Sequence, residues 1–124
     1  MHALIIEPQV FTSLMIEDAL REAGYTSVTH ATTEDEAIAA ADREPPHIIT
    51  SAVKLHDGSG IKAVEAIRLR HRMPVLFITQ RVAEVASEDP DLLVLRKPFR
   101  FADLPPAIEE AKLRQARQAE PAAA

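Results

Sequence analysis

No cysteine occurs anywhere in the 124 residues, which excludes disulfides, thiolate nucleophiles and cysteine-ligated zinc. No apolar run is long enough to cross a bilayer. The opening residues Met1-His2-Ala3-Leu4 also lack the basic region and extended apolar stretch of a signal peptide, so a cytoplasmic location without membrane attachment is expected. The five histidines show no metal-ligand spacing, and no metal site is expected from them. Positive charge is in deficit. The formal net charge is -5, which argues against nucleic acid as the main partner, because a phosphate backbone rewards clustered cations. The basic residues that do cluster, Arg68, Arg70, His71 and Arg72, read as the solvated end of a helix. Neither repeats nor an internal linker interrupt the chain, and 47% hydrophobic residues suffice for one core.

The apolar patterning alternates between strands and helices. Ala3-Leu4-Ile5-Ile6 is a strand-length run ended by Glu7-Pro8-Gln9, where proline removes a ladder donor. From Val10 to Ala23 the spacing is helical, with Met15, Ile16, Ala19, Leu20 and Ala23 on one face, Val10 and Leu14 off it, and Gly24 as the stop. Tyr25 to Ala31 reads as a second strand, and Thr33 with Glu36 as a capping box opening a second helix. Glu44-Pro45-Pro46 ends that helix. His47 to Ala52 is a third strand, and Gly58-Ser59-Gly60 opens a third helix carrying Ile61, Val64 and Ile67. Val75 to Thr79 is a fourth strand, Arg81 to Ala86 a short helix, and Leu92 to Leu95 a fifth strand. A last helix fits Leu104 to Gln118, with Asp103 as its N-cap and Pro105 and Pro106 in the first turn.

Five buried strands alternating with helices imply an α/β sandwich with a parallel sheet, in which ligands gather at the carboxyl ends of the strands. Those ends carry Glu7-Pro8-Gln9, Ala52-Val53-Lys54, Thr79-Gln80 and Lys97-Pro98. An acid, a hydroxyl and an ammonium on one edge suit phosphoryl chemistry: hydroxyl and lysine hold phosphate oxygens, while carboxylates hold Mg²⁺ and supply a nucleophile.

In this order, with Val53-Lys54-Leu55-His56-Asp57-Gly58-Ser59-Gly60 after the third strand, these residues resemble the receiver domain of the two-component response regulators, from about Ala3 to about Leu113. The resemblance implies a flavodoxin-like, doubly wound (βα)5 sandwich over residues 1–118, followed by a disordered tail at 119–124. It also implies a non-enzymatic signalling protein of phosphorelays. Receivers take a phosphoryl group from a histidine kinase onto an aspartate at the end of the third strand, aided by Mg²⁺ on that aspartate and an acidic pair after the first strand. Here Ala52 stands at the acceptor position, Glu7 matches the first acid and Pro8 replaces the second. Thr79 matches the switch hydroxyl and Lys97 the phosphate-binding lysine, with a cis Lys97-Pro98 bond expected. Val94 occupies the usual aromatic position on the fifth strand.

A methyl group neither accepts a phosphoryl group nor binds a metal, and proline offers no side-chain ligand. The expectation is therefore a pseudo-receiver: a single-domain, atypical response regulator without aspartate phosphorylation, Mg²⁺ lost or weak, and Lys97 in an ion pair with Glu7. Ser51 should point away from the pocket, because successive strand side chains alternate. Asp57 and His56 read as loop residues. The alternative is a Mg²⁺-dependent, phosphoryl-accepting receiver in which another residue substitutes for the acceptor, or whose aspartate was replaced by Ala52 in the laboratory. Expected partners are a histidine kinase, a phosphotransfer protein or another regulator, docking near Val10 and Leu14, or a homodimer through the last helix and fifth strand. No DNA-binding module is expected after the last helix.

Overall fold

A computed structural model describes residues 1–119. Its strands are β1 (His2–Ile6), β2 (Ser27–Ala31), β3 (Ile48–Ser51), β4 (Val75–Thr79) and β5 (Leu93–Arg96). They alternate with the helices α1 (Val10–Glu22), α2 (Glu34–Arg43), α3 (Gly60–Arg68), α4 (Val82–Glu88) and α5 (Leu104–Ala119). Every strand pair is parallel, in the order β2-β1-β3-β4-β5, which is the flavodoxin-like doubly wound order. Of the tail expected at 119–124, Ala119 ends α5 and the rest lies outside the described residues.

The two-residue period of the strands divides the core between the sheet's two faces. Leu4 and Ile6 of β1, Ile49 of β3 and Phe77 of β4 join Ala37, Ala41, Val64 and Ile67 under α2 and α3. Ala3, Ile5, Ile48, Leu76 and Ile78 face the other way, onto Ile16, Leu20 and Ile108 of α1 and α5. Each fully buried Leu, Ile, Val or Phe among them contributes about 1.5–3 kcal/mol of transfer free energy, and each alanine less.

Only three of the five strands are buried. β1, β3 and β4 are buried throughout, whereas β2 and β5 are half-exposed because they form the sheet's edges. Along α1 the buried set is Ser13, Ile16, Ala19 and Leu20, with Met15 and Ala23 only partly covered. Ser13 enters the core side because its hydroxyl donates to the Val10 carbonyl at 2.8 Å.

Two expected caps are built differently. Thr33 accepts from the Glu36 N–H, but the Glu36 carboxylate turns to the N–H and hydroxyl of Thr32, both at 2.9 Å. These bonds hold the Glu36 carboxyl below its ordinary range. Asp103 closes a 3-10 turn, Phe101–Asp103, by accepting from the Arg100 N–H, so it caps that turn and not α5.

Candidate functional site

Backbone ladders extend one residue past three strands and thereby fix the site. The Glu7 N–H donates to Ala31, the Ala52 N–H to Ile6 at 2.8 Å, and the Lys97 N–H to Thr79 at 3.1 Å. Glu7, Ala52, Thr79 and Lys97 consequently line one open cleft of about 710 Å³ at the carboxyl edge of the sheet. Pro8 lines it as well, so all five positions expected for the pocket meet there. The Lys97-Pro98 bond is cis, as expected.

The chemistry of the cleft centres on an ion pair. Glu7 is 3% exposed, and its Oε1 accepts from Lys97 Nζ at 2.9 Å. Its Oε2 accepts from the Gln9 N–H at 3.1 Å. Gln9 Oε1 is a second acceptor for Lys97, at 3.3 Å, and is itself bonded by the Thr12 hydroxyl. Gln9, named above only as part of the strand end, was not expected as a partner of Lys97, which was assigned to Glu7 alone. The missed signal is that a residue two beyond Glu7, past the Pro8 turn, can fold back over the strand end.

Thr79 is 5% exposed, and its hydroxyl accepts from the Arg81 N–H at 2.9 Å, at the start of α4. The methyl of Ala52 forms part of the cleft wall. Ser51 is fully buried and lies outside the lining, its hydroxyl donating to the Ala52 carbonyl at 2.8 Å, as strand alternation requires. That carbonyl abuts the start of α3: a Cβ at residue 60 would overlap it and come within 2.5 Å of Ser51 Oγ, which accounts for Gly60. Asp57 is exposed and outside the cleft, its carbonyl bonded by the Glu34 N–H. His56 stands at the rim, exposed.

Mg²⁺ needs several oxygen ligands in near-octahedral geometry. Glu7 is the one carboxylate among the lining residues, and both of its oxygens are engaged. Pro8 and Ala52 bring no side-chain oxygen, and the Lys97 ammonium already neutralises the Glu7 carboxylate. Among the described residues, no three histidine or acidic side chains are grouped to hold a metal. This donor set does not fit Mg²⁺.

Beside the cleft, the exposed face of α1 carries Val10 at 68% and Leu14 at 50% exposure, together with Phe11 at 87%. Phe11 was not among the sequence candidates. A step of about 100° per residue places it within about 60° of Leu14, on the same exposed face, so the helical wheel held the signal.

Known proteins share both the sequence and this geometry. The family model for the response regulator receiver domain matches residues 3–109. The transcriptional regulatory protein PdtaR of Mycobacterium tuberculosis is 33% identical over 112 residues, covering 87% of this chain and 55% of PdtaR, so the chain spans about half the length of that relative. The solution structure of the PhyR receiver domain of Erythrobacter litoralis superposes with a TM-score of 0.82 at 29% identity, covering 99% of this chain and 95% of that one. PhyR from Brucella abortus gives a TM-score of 0.80 at 27% identity, over 94% of this chain and 49% of that one. No helix among the described residues is long and apolar enough to cross a membrane. With its five-stranded parallel sheet, its Thr79 and Lys97 at the strand ends and its match over most of its length, the chain belongs to the response regulator receiver domain family of two-component signalling.

Proposed function

We propose that this receiver acts as a pseudo-receiver, regulating a signalling partner by stoichiometric contact without phosphoryl transfer at the usual position. One observation carries the reading: the acceptor position is the Ala52 methyl, and the one carboxylate in the cleft is already bound by Lys97 at 2.9 Å. A phosphoryl group finds no free oxygen nucleophile at the end of β3, and Mg²⁺ finds no ligand set. Thr79 and Lys97 then serve the fold of the cleft, the former by holding Arg81 at the start of α4 and the latter by neutralising Glu7.

The partner is a histidine kinase, a phosphotransfer protein or another regulator. The contact surface is the Val10, Phe11 and Leu14 face of α1, which borders the cleft through Thr12 and Met15. Apolar groups so exposed and contiguous are typical of a contact surface. Incubation of the protein with acetyl phosphate and Mg²⁺, followed by intact-mass measurement, is expected to show no added phosphoryl group. A stable adduct of one phosphoryl group would overturn the reading.

A further inference from the structure

At the opposite end of the sheet, the chain leaves α3 through Leu69, Arg70, His71 and Arg72 before entering β4. Arg68, His71, Arg72 and Met73 meet Gln115 of α5 around a small cavity of about 150 Å³. No carboxylate lines it, although Asp91 lines an adjoining cavity that shares Arg68, Met73 and Gln115. Every polar side chain there brings an N–H donor: two guanidiniums, an imidazole and an amide. His71 and Arg70 reach Asp42 at 3.3 and 3.2 Å, yet neither Arg68 nor Arg72 takes part in an ion pair among the described residues. Arg114 and Arg117 extend the cationic surface along α5, partly offset by Glu110 and Asp91. Beside this cavity Leu69 is 84% exposed.

A solvated helix end explains cations near the α3 C-terminus through the helix dipole. It does not explain why neither guanidinium of the cavity is ion-paired among the described residues, or a bare leucine between them in the chain. We infer that this end of the molecule is a docking surface for an acidic segment of a partner protein, a carboxylate lying between Arg68 and Arg72 and an apolar side chain resting on Leu69. Guanidinium forks suit bidentate carboxylates, and on a chain of net charge -5 a cationic patch is complementary to an acidic segment. The same net charge disfavours nucleic acid here.

The test measures anisotropy of a fluorescent synthetic peptide in which glutamates flank one leucine, at low and at physiological salt, against an isosteric glutamine peptide. Binding of the acidic peptide alone is expected. Arg68→Glu with Arg72→Glu should weaken it about tenfold or more, since two ion pairs, one at half-buried Arg68 and one at exposed Arg72, turn into repulsions. Leu69→Ala should weaken it about threefold, while Arg96→Glu, an exposed cation on β5, should leave it unchanged. Arg68→Gln with Arg72→Gln supplies the same comparison should the glutamate pair unfold the domain. Equal losses in the Arg96→Glu and the paired variants would overturn the inference. So would tighter binding of a duplex oligonucleotide than of the peptide, or a wild-type dimer in sedimentation that the paired variants abolish.

Discussion

Replacing Lys97 by methionine removes the ammonium from the cleft while keeping most of the aliphatic stem. Nζ lies 2.9 Å from Glu7 Oε1, in side chains 18% and 2% exposed respectively. At an effective dielectric of 20 the direct attraction is about 6 kcal/mol, most of which the desolvation of both groups cancels. What the substitution exposes is the other side of that balance, a carboxylate left in a buried position without its counter-charge. Stranding one member of a buried pair costs about 3–5 kcal/mol. Glu7 keeps its bond from the Gln9 N–H, and the open cleft admits water, so a loss of about 2–3 kcal/mol is expected. Glu7→Gln should cost less, about 1 kcal/mol, because Lys97 retains Gln9 and reaches solvent. The double variant contains neither charge and should be more stable than the sum of the singles by about 2 kcal/mol. Urea unfolding followed by circular dichroism measures all four proteins, with m-values checked for constancy. Additive costs, or a Lys97→Met loss below about 0.5 kcal/mol, would refute the view that this pair closes the site.

Three further outcomes follow from the geometry. Gly60→Ala should cost about 3 kcal/mol or more, or prevent folding, because its Cβ would overlap the Ala52 carbonyl; a thermal melt within a few degrees of wild type would contradict this. Hydrogen bonds from His30 at 2.6 Å and Arg21 at 2.8 Å hold the Glu17 carboxyl below its ordinary 4.5. A depressed folded-state value stabilises above the unfolded value and is lost as pH falls through the folded one. Glu17→Gln should therefore narrow the stability difference between neutral and acid pH by up to about 1 kcal/mol, read from denaturation midpoints above and below 4.5. Finally, Ala52→Asp alone should gain little Mg²⁺ affinity, and Ala52→Asp with Pro8→Asp should gain it clearly in calorimetry; equal affinities would show that Pro8 is not what excludes the cation.

Much of the fold was legible because strand and helix periods differ so plainly here. Leu4 and Ile6 alternate with Ala3 and Ile5, and this division reappears as the two faces of the sheet. The pocket positions were legible for a related reason: a parallel sheet brings its strand ends together, whatever their separation along the chain. What escaped was local and three-dimensional. The edge positions of β2 and β5 depend on strand order, which periodicity does not encode, so their partial exposure was missed. Ser13 is polar yet buried because it bonds its own helix, and Gln9 enters the site only through a turn whose path depends on Pro8. The donor-lined cavity at Arg68 and Arg72 needs Gln115 from α5, more than forty positions away, to be seen at all.

A receiver switches because a ligand distinguishes two conformations, and a ligand that binds both equally shifts nothing. In this chain the groups that would follow a phosphoryl group are engaged without one. Lys97 is held by Glu7 and Gln9, Thr79 by the Arg81 N–H, and Val94 packs as an aliphatic against the core under α2 and α3. On the proposed reading, the free energy for any change of state comes from the partner's own preference between conformations. Signal strength is then set by the partner's concentration relative to its dissociation constant, and a covalent cycle plays no part in it. Loss of affinity at the α1 face and loss of output should consequently coincide, whereas in a phosphorylated receiver the two are separable.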